Sequence, residues 1–411
     1  MADVQAGSHV GPGLQTRASI TGTRLTLALL GYFVLLTAVI TLSPFDFSVR
    51  RFRISMAVVP SDVVANIALF FPLGFLGRGL TGPGGRGNRR VVWIAAVCSL
   101  LIETAQLFLR RRYAGPIDVV SNTAGAWLGV LVRDRIERWA LWHPRLVGRV
   151  GLDVPLVGVL YLLVPQLWLS SVGLIEDPRR SVTTLLLGCA GSIVLVALHR
   201  HRWQNGIRVA THVVPPLAVL WFVTGALPAA TASPGTFAAI GVAVAGMTAW
   251  MLRRSHASSE TRFEVATLRR FVPVFALYLI VASLWPPFRG LTPWHGAVLF
   301  ENRLNGATVV DVLLLLEQVG GFTLLGYAVA EWRGRLELSL ASDLPPLVVA
   351  AAVCALGLET VQGVTSGPGA SLMRAALATS GTAYGVAVYH LARQHVRALR
   401  AEEQAKAIEA A

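Results

Sequence analysis

The chain has 411 residues, 54% of them hydrophobic and only 14% charged, with a formal net charge of +14. A water-soluble domain of this length cannot hide that much apolar surface, so the composition excludes an ordinary soluble fold. A basic chain often signals nucleic-acid binding. Here 35 of the 36 basic residues are Arg, and they stand in short connections between apolar blocks, where topology and headgroup contact account for them. No nucleic-acid partner is expected.

The apolar blocks are long enough to cross a bilayer, which takes about 20 helical residues. They lack period-2 alternation, which leaves helices rather than a closed barrel. In chain order the predicted spans are 25–43, 62–80, 91–109, 117–132, 154–172, 181–198, 207–227, 234–252, 271–285, 310–330, 346–361 and 372–391. The fold class is therefore all-α, a polytopic transmembrane bundle of about twelve spans. The polar stretch 1–24 is expected to be a cytoplasmic tail, followed by a retained first helix with no cleavage site. The segment 392–411 is charged and helix-prone and is read as a second cytoplasmic tail. With the N-terminus inside, the inner segments carry 25 Lys and Arg and the outer loops 10, which predicts both termini in the cytoplasm of a bacterial cell. The outer exceptions are Arg50, Arg51 and Arg53 after the first span and Arg110, Arg111 and Arg112 after the third.

An internal repeat is visible. AAVCSLLIETAQ at 95–106 matches AAVCALGLETVQ at 351–362, and NTAGAWLGVLV at 122–132 matches ATSGTAYGVAV at 378–388. The organisation predicted is a four-helix unit at 25–133, a middle four-helix region at 134–269, and a degenerate second unit at 270–391. Both units enter from the same side and are parallel repeats. Gly125 with Gly129, and Gly381 with Gly385, have the spacing of close helix contact.

Polar residues inside spans are costly and usually face the bundle interior or a cavity. Asp62 and Asn66 share one helix face, as do Asp118 and Asn122, and so do Glu103 and Gln106. The Asn residues lie about 6 Å deeper than their Asp partners, and Glu103 about 9 Å below the outer surface. Three helices thus place polar pairs at one depth beneath the outer Arg clusters, which predicts a polar pocket opening to the outer leaflet. The structural alternative is helix capping and interhelical hydrogen bonding. Cys98, Cys189 and Cys354 lack metal or disulfide spacing, the GPGGRG stretch at 82–87 reads as a connector, and the HRHR run at 199–202 as a solvated anchor. No cofactor and no metal are expected.

The text SPFDFS at 43–48, DVVANIALFFPLGF at 62–75 and IETAQLFLRRRYAGPIDVVSNTAGAWLGV at 102–130 resembles the VanZ-like family. The resemblance implies functional positions at Asn66, Glu103, Gln106, Arg112, Asp118 and Asn122. Asp62, Arg50, Arg51, Arg110 and Arg111 support them, and Gly74, Gly125 and Gly129 serve helix packing. The second unit keeps Glu359, Gln362, Gly381 and Gly385 but has Pro368 for Arg112, Arg374 for Asp118, Ala378 for Asn122 and Gln318 for Asn66. The family's named association is low-level tolerance of teicoplanin-type lipoglycopeptides, and its members resemble proteins of cell-envelope contexts. Partners implied are membrane lipids and a lipid-linked envelope intermediate or lipoglycopeptide. Three readings stay open: a binder of an anionic envelope component, a membrane-embedded enzyme with Glu103 as acid or base, and a transporter.

Overall fold

The computed structural model describes residues 12–43, 45, 47, 54–81, 85–110, 113–142, 154–203, 209–254, 263–286, 290–297, 309–365 and 369–409. Among them are twelve long helices: α1 (Pro12–Leu42), α2 (Pro60–Gly79), α3 (Gly85–Gln106), α4 (Pro116–Trp142), α5 (Val154–Glu176), α6 (Ser181–Leu198), α7 (Val214–Ala232), α8 (Pro234–Arg254), α9 (Phe263–Ser283), α10 (Val309–Arg333), α11 (Leu340–Gly363) and α12 (Leu372–Glu409). Nine are long and apolar enough to span a membrane. The other three are α3, α4 and α12, which carry charged ends: GRGNRR opens α3, RDRIER falls late in α4, and α12 runs into the C-terminal charges.

Several boundaries differ from expectation. α1 begins at Pro12, so most of the supposed N-terminal tail is helix, and α12 carries the supposed C-terminal tail as helix to Glu409. At 38 residues α12 is about 57 Å long, well beyond a bilayer's apolar thickness. The connector read at 82–87 already enters α3 at Gly85, and the last turn expected for that span is replaced by a break after Gln106. Nor is the HRHR run a solvated anchor: His199 is fully buried, and Arg200 donates to the Leu252 carbonyl.

α2 starts where its sequence dictates. Pro60 fits the first helical turn because its missing N–H has no intrahelical partner there, and Asp62 complements the positive helix end. Pro72 interrupts the interior, which neighbouring helices tolerate in a membrane bundle.

The bundle is built around α5, α6 and α10. About two thirds of each of these spans is buried, 61–67%, against 22–33% for the other six apolar spans. Their shared interior holds a buried ion pair between Arg180, in the turn before α6, and Glu317 of α10, each with 3% side-chain exposure. Tyr278 of α9 donates to Glu317 Oε1 at 2.9 Å, and Gln166 of α5 donates to the Glu317 carbonyl at 2.6 Å. Removing one partner of a buried charge pair strands the other, and Tyr278 supplies a second donor to the Glu317 carboxylate, while Arg180 Nε is buried without a partner among the described residues. At the rim Trp285 donates to Asp177 Oδ2 at 2.9 Å, fastening the α5–α6 connection to the end of α9.

Within α1–α4 the closest approach is α2 against α4. A Cβ on Gly74 would collide with the Ala126 carbonyl, one on Gly125 with the Ile67 carbonyl, and one on Gly129 with the Phe71 carbonyl. The same approach recurs between α10 and α12, where Gly326 meets Thr382, Gly381 meets Val319 and Gly385 meets Thr323, each at a carbonyl oxygen. α1 closes the ring against α12, with Tyr32 stacked on Tyr384 and Tyr384 donating to the Ala28 carbonyl. Thr21 and His395 meet at 3.3 Å, so the start of α1 and the end of α12 lie on one side of the molecule, called here the terminal side.

Gly74→Ala and Gly129→Ala are expected to cost about 3 kcal/mol or more each, because the added carbon meets backbone rather than a yielding side chain. Gly31→Ala meets open space and is expected to be neutral or to stabilise by up to about 1 kcal/mol. Thermal unfolding of the detergent-solubilised chain measures both.

Candidate functional site

The break after α3 sets up the site. Leu107, Phe108 and Leu109 turn the chain out of the helix, with Leu109 N–H donating to the Gln106 carbonyl at 2.9 Å. The connection returns as a short extended piece at Ala114 and enters α4 at Pro116. Glu103, 6% exposed, holds this connection in place: its Oε2 accepts from the Gly115 N–H at 2.8 Å. Gln106 donates to the Thr41 carbonyl at the end of α1 at 2.9 Å. Asn66 of α2 donates to Asp118 Oδ1 of α4 at 2.8 Å, and Asn122 donates to Ser99 Oγ of α3 at 2.9 Å. Four helices are thereby tied by the polar side chains that stand out in the sequence. The structural role weighed for them is present in this geometry.

These residues also share a space. A cavity of about 730 Å³ is lined by Asp62, Asn66, Glu103, Gln106, Asp118 and Asn122, with Thr41 and Tyr113 beside them. That volume lies within the range of small-ligand sites. Asp62 is exposed at the mouth, Asp118 is half-buried, and Glu103, Gln106 and Asn122 are buried. Asn122 Oδ1 is buried without a hydrogen-bond partner among the described residues. Arg110 is exposed at the turn after α3. Arg50, Arg51, Arg53, Arg111 and Arg112 lie outside the described residues, as does Pro368. Among the described residues no group of three His, Cys, Asp or Glu is arranged to hold a metal ion.

Two parts of the wall have no counterpart in the sequence reading. One is the segment 54–59, which contributes Ser55, Ala57 and Val59. The other is an apolar wall from outside α1–α4: Trp168 and Val172 of α5, Leu227 and Pro228 of α7, and Leu313 of α10. The middle helices therefore finish a cavity that α1–α4 begin.

At the corresponding place in α9–α12 the same backbone bonds recur. Glu359 Oε2 accepts from the Ser371 N–H at 2.8 Å, and Gln362 donates to the Ser283 carbonyl at 2.6 Å. The bridges Phe47–Leu109 and Ile54–Ala114 are matched by Leu291–Thr365 and by the two-residue parallel pairing of Gly296–Ala297 with Ala370–Ser371. The side chains differ. Arg374 reaches into the equivalent position, donating from Nε to Glu359 Oε1 at 3.1 Å and from Nη2 to Glu359 Oε2 and Gln362 Oε1 at 2.6 Å each. A third acceptor, the Gly369 carbonyl, completes its shell. Gln318, at the position of Asn66, is left with its Nε2 buried and unpartnered among the described residues, because a donor now stands where Asp118 offers an acceptor.

Polar clasps also fasten both quartets on the terminal side. Asp134 of α4 accepts from Arg78 of α2 at 2.6 Å and from Asn88 of α3. In α9–α12 the carboxylate has moved to Asp343 of α11, which pairs with Arg333 of α10 at 2.9 Å and with His390 of α12 at 3.1 Å.

The family model described as VanZ/LLP1 matches residues 24–137. No curated protein and no solved structure matches the chain. The stretch that holds α1–α4 is thus similar to the VanZ/LLP1 family, within a multi-pass helical membrane protein.

Arg374→Ala is expected to cost about 3–5 kcal/mol, since it strands the buried Glu359 carboxylate. The double change Arg374→Ala with Glu359→Gln should recover a large part of that loss. A double-mutant cycle on thermal stability reads the coupling directly.

Proposed function

We propose that the α1–α4 cavity binds the polar head of an anionic envelope amphiphile at the outer face of the bacterial cytoplasmic membrane, with both termini in the cytoplasm. The observation that carries this reading is the two-sided lining of one cavity. Carboxylates and carboxamides on α2, α3 and α4 face an apolar wall from α5, α7 and α10. An amphiphile needs both, one wall for hydroxyl-rich head chemistry and the other for its hydrocarbon.

The charge pattern supports the anionic part. The two connections whose described ends line the cavity carry Arg50, Arg51 and Arg53, and Arg110, Arg111 and Arg112, in sequence. Guanidinium groups pair with phosphate oxygens in a bidentate fork. Asp, Asn, Glu and Gln side chains suit a network of hydroxyl donors, as a sugar presents. A glycosyl phosphate on a lipid has this combination, with hydroxyls for the interior and phosphate for the rim. The orientation is supported by the Lys and Arg bias between the two sides. The link to teicoplanin tolerance rests on the family resemblance of α1–α4 alone.

Within the cavity the roles divide. Glu103 and Gln106 are engaged with backbone and hold the connection and the end of α1, as Glu359 and Gln362 do in α9–α12. Asn66, Asp118 and Asn122 have no such counterpart and are assigned to the ligand, with Arg112 added from the sequence pattern.

The test is complementation of a strain lacking the gene, scored as teicoplanin tolerance at matched membrane levels. Wild type is expected to restore tolerance. Asp118→Asn and Arg112→Ala are expected to fail while unfolding within a few degrees of wild type. Glu103→Gln is expected to fail and to lose stability as well. Full complementation by Asp118→Asn and Arg112→Ala would remove the site assignment.

A further inference from the structure

The segment 54–59 lies over the cavity in a specific way. It begins at the Ile54–Ala114 bridge, where Ser55 N–H donates to the Ala114 carbonyl at 3.0 Å, and ends with Val59 in an extended conformation just before α2. Alternate residues of an extended chain point to opposite faces. Ser55, Ala57 and Val59 line the cavity. Ile54, Met56 and Val58 take the other face and are 64%, 71% and 66% exposed. Three consecutive outward positions of an extended segment are thus large and apolar, although exposed segments of this kind are ordinarily polar.

Position in the fold says what covers that face. The apolar span of α2 begins at Asp62, so the segment sits at the boundary of a membrane-crossing helix, on the side away from the termini. Phe47, Tyr113 and Trp294 are exposed on that same side, beyond the ends of α1, α3 and α9, as in an interfacial aromatic belt. Arg51 and Arg53 precede the segment in sequence, and cationic side chains of this kind attract anionic headgroups. The exposed apolar face adjoins the start of a helix long and apolar enough to cross a membrane.

We infer that the segment 54–59 is a lid seated in the outer leaflet, with Ile54, Met56 and Val58 immersed in the headgroup–acyl boundary. The cavity beneath it then receives its amphiphile from the membrane rather than from water. This rests on the cavity being the ligand site and adds the route of entry. It also gives the lid a mechanical link to the site. Ser55 is bonded to Ala114, and the neighbouring Gly115 is held by Glu103 in the cavity wall, so lid and wall are joined through two consecutive hydrogen bonds.

The experiment uses the full-length chain in proteoliposomes, with Cys98, Cys189 and Cys354 replaced by Ser and one nitroxide placed at Ile54→Cys, Ser55→Cys, Met56→Cys, Ala57→Cys or Val58→Cys. Collision with oxygen, which concentrates in hydrocarbon, is compared with collision with a water-soluble nickel chelate. Ile408→Cys, far along the charged end of α12, gives the aqueous reference. The expected result is an oxygen-dominated ratio at 54, 56 and 58, the reverse of that at 408, with lower collision rates for both reagents at 55, the half-buried position of the segment. A nickel-dominated ratio at 56 places the segment in water and overturns the proposal. Spin–spin broadening at 56 would reveal a second copy of the chain on this face and would overturn it as well. These readings do not depend on the complementation of Asp118→Asn, so the lid and the ligand site fail separately.

Discussion

Hydrocarbon offers no water to a polar group, so the carboxylates and amides that α1–α4 carry into the bundle need partners from elsewhere in the chain. That constraint organises the domain. Asn66 can stay in α2 because Asp118 of α4 accepts from it, and Asn122 can stay in α4 because Ser99 of α3 does. Gln106 reaches the frayed end of α1 and bonds the Thr41 carbonyl, a group that a helix end leaves unsatisfied. The matching works only if α2 and α4 lie nearly in backbone contact, which the glycines at 74, 125 and 129 permit. Small residues and interhelical hydrogen bonds are therefore one device, since the first allows the approach that the second requires.

A domain tied together in this way cannot enclose its own cavity. The polar groups that line the cavity converge on one end, and part of the wall there comes from outside the domain. α5, α7 and α10 close it with Trp168, Val172, Leu227, Pro228 and Leu313. These helices pack through a large apolar core that also encloses the Arg180–Glu317 pair with Tyr278 and Gln166. Because α10 belongs to both, carrying Leu313 in the cavity wall and Glu317 one turn deeper, the α1–α4 domain rests on a frame that it does not itself build.

The parts legible in the sequence are those where chemistry conflicts with context. An ionisable residue in an apolar block stands out, so Asp62, Glu103 and Asp118 and their amide neighbours could be named, and the cavity they line follows from their common depth. Helix number was legible from block length. Helix ends were less so: α1 and α12 extend past their apolar cores because amphipathic or charged residues continue a helix as readily as they leave it. The apolar wall was invisible, since Leu313 or Trp168 in a spanning helix looks the same facing lipid or facing a cavity. The lid was hidden for another reason. Six residues with half of an alternation, placed after an Arg-rich stretch, resemble a loop until Ala114 is seen beside Ile54.

The comparison between α1–α4 and α9–α12 separates architecture from chemistry more sharply than either quartet alone. Glu to connection N–H, Gln to helix-end carbonyl, and glycine to facing backbone occur in both. Those contacts hold the fold in both. Arg374 fills the seat in α9–α12 from within the chain. A guanidinium takes both oxygens of Glu359, the oxygen of Gln362 and a backbone carbonyl, so every acceptor there is consumed from within. The cost is borne locally by Gln318, whose amide loses its acceptor. In α1–α4 the same helix position carries Asp118, an acceptor, and the helix turn below it carries Asn122 in place of Ala378. Where the quartets differ, Asp118 against Arg374 and Asn122 against Ala378, the two residues of α1–α4 both line its cavity.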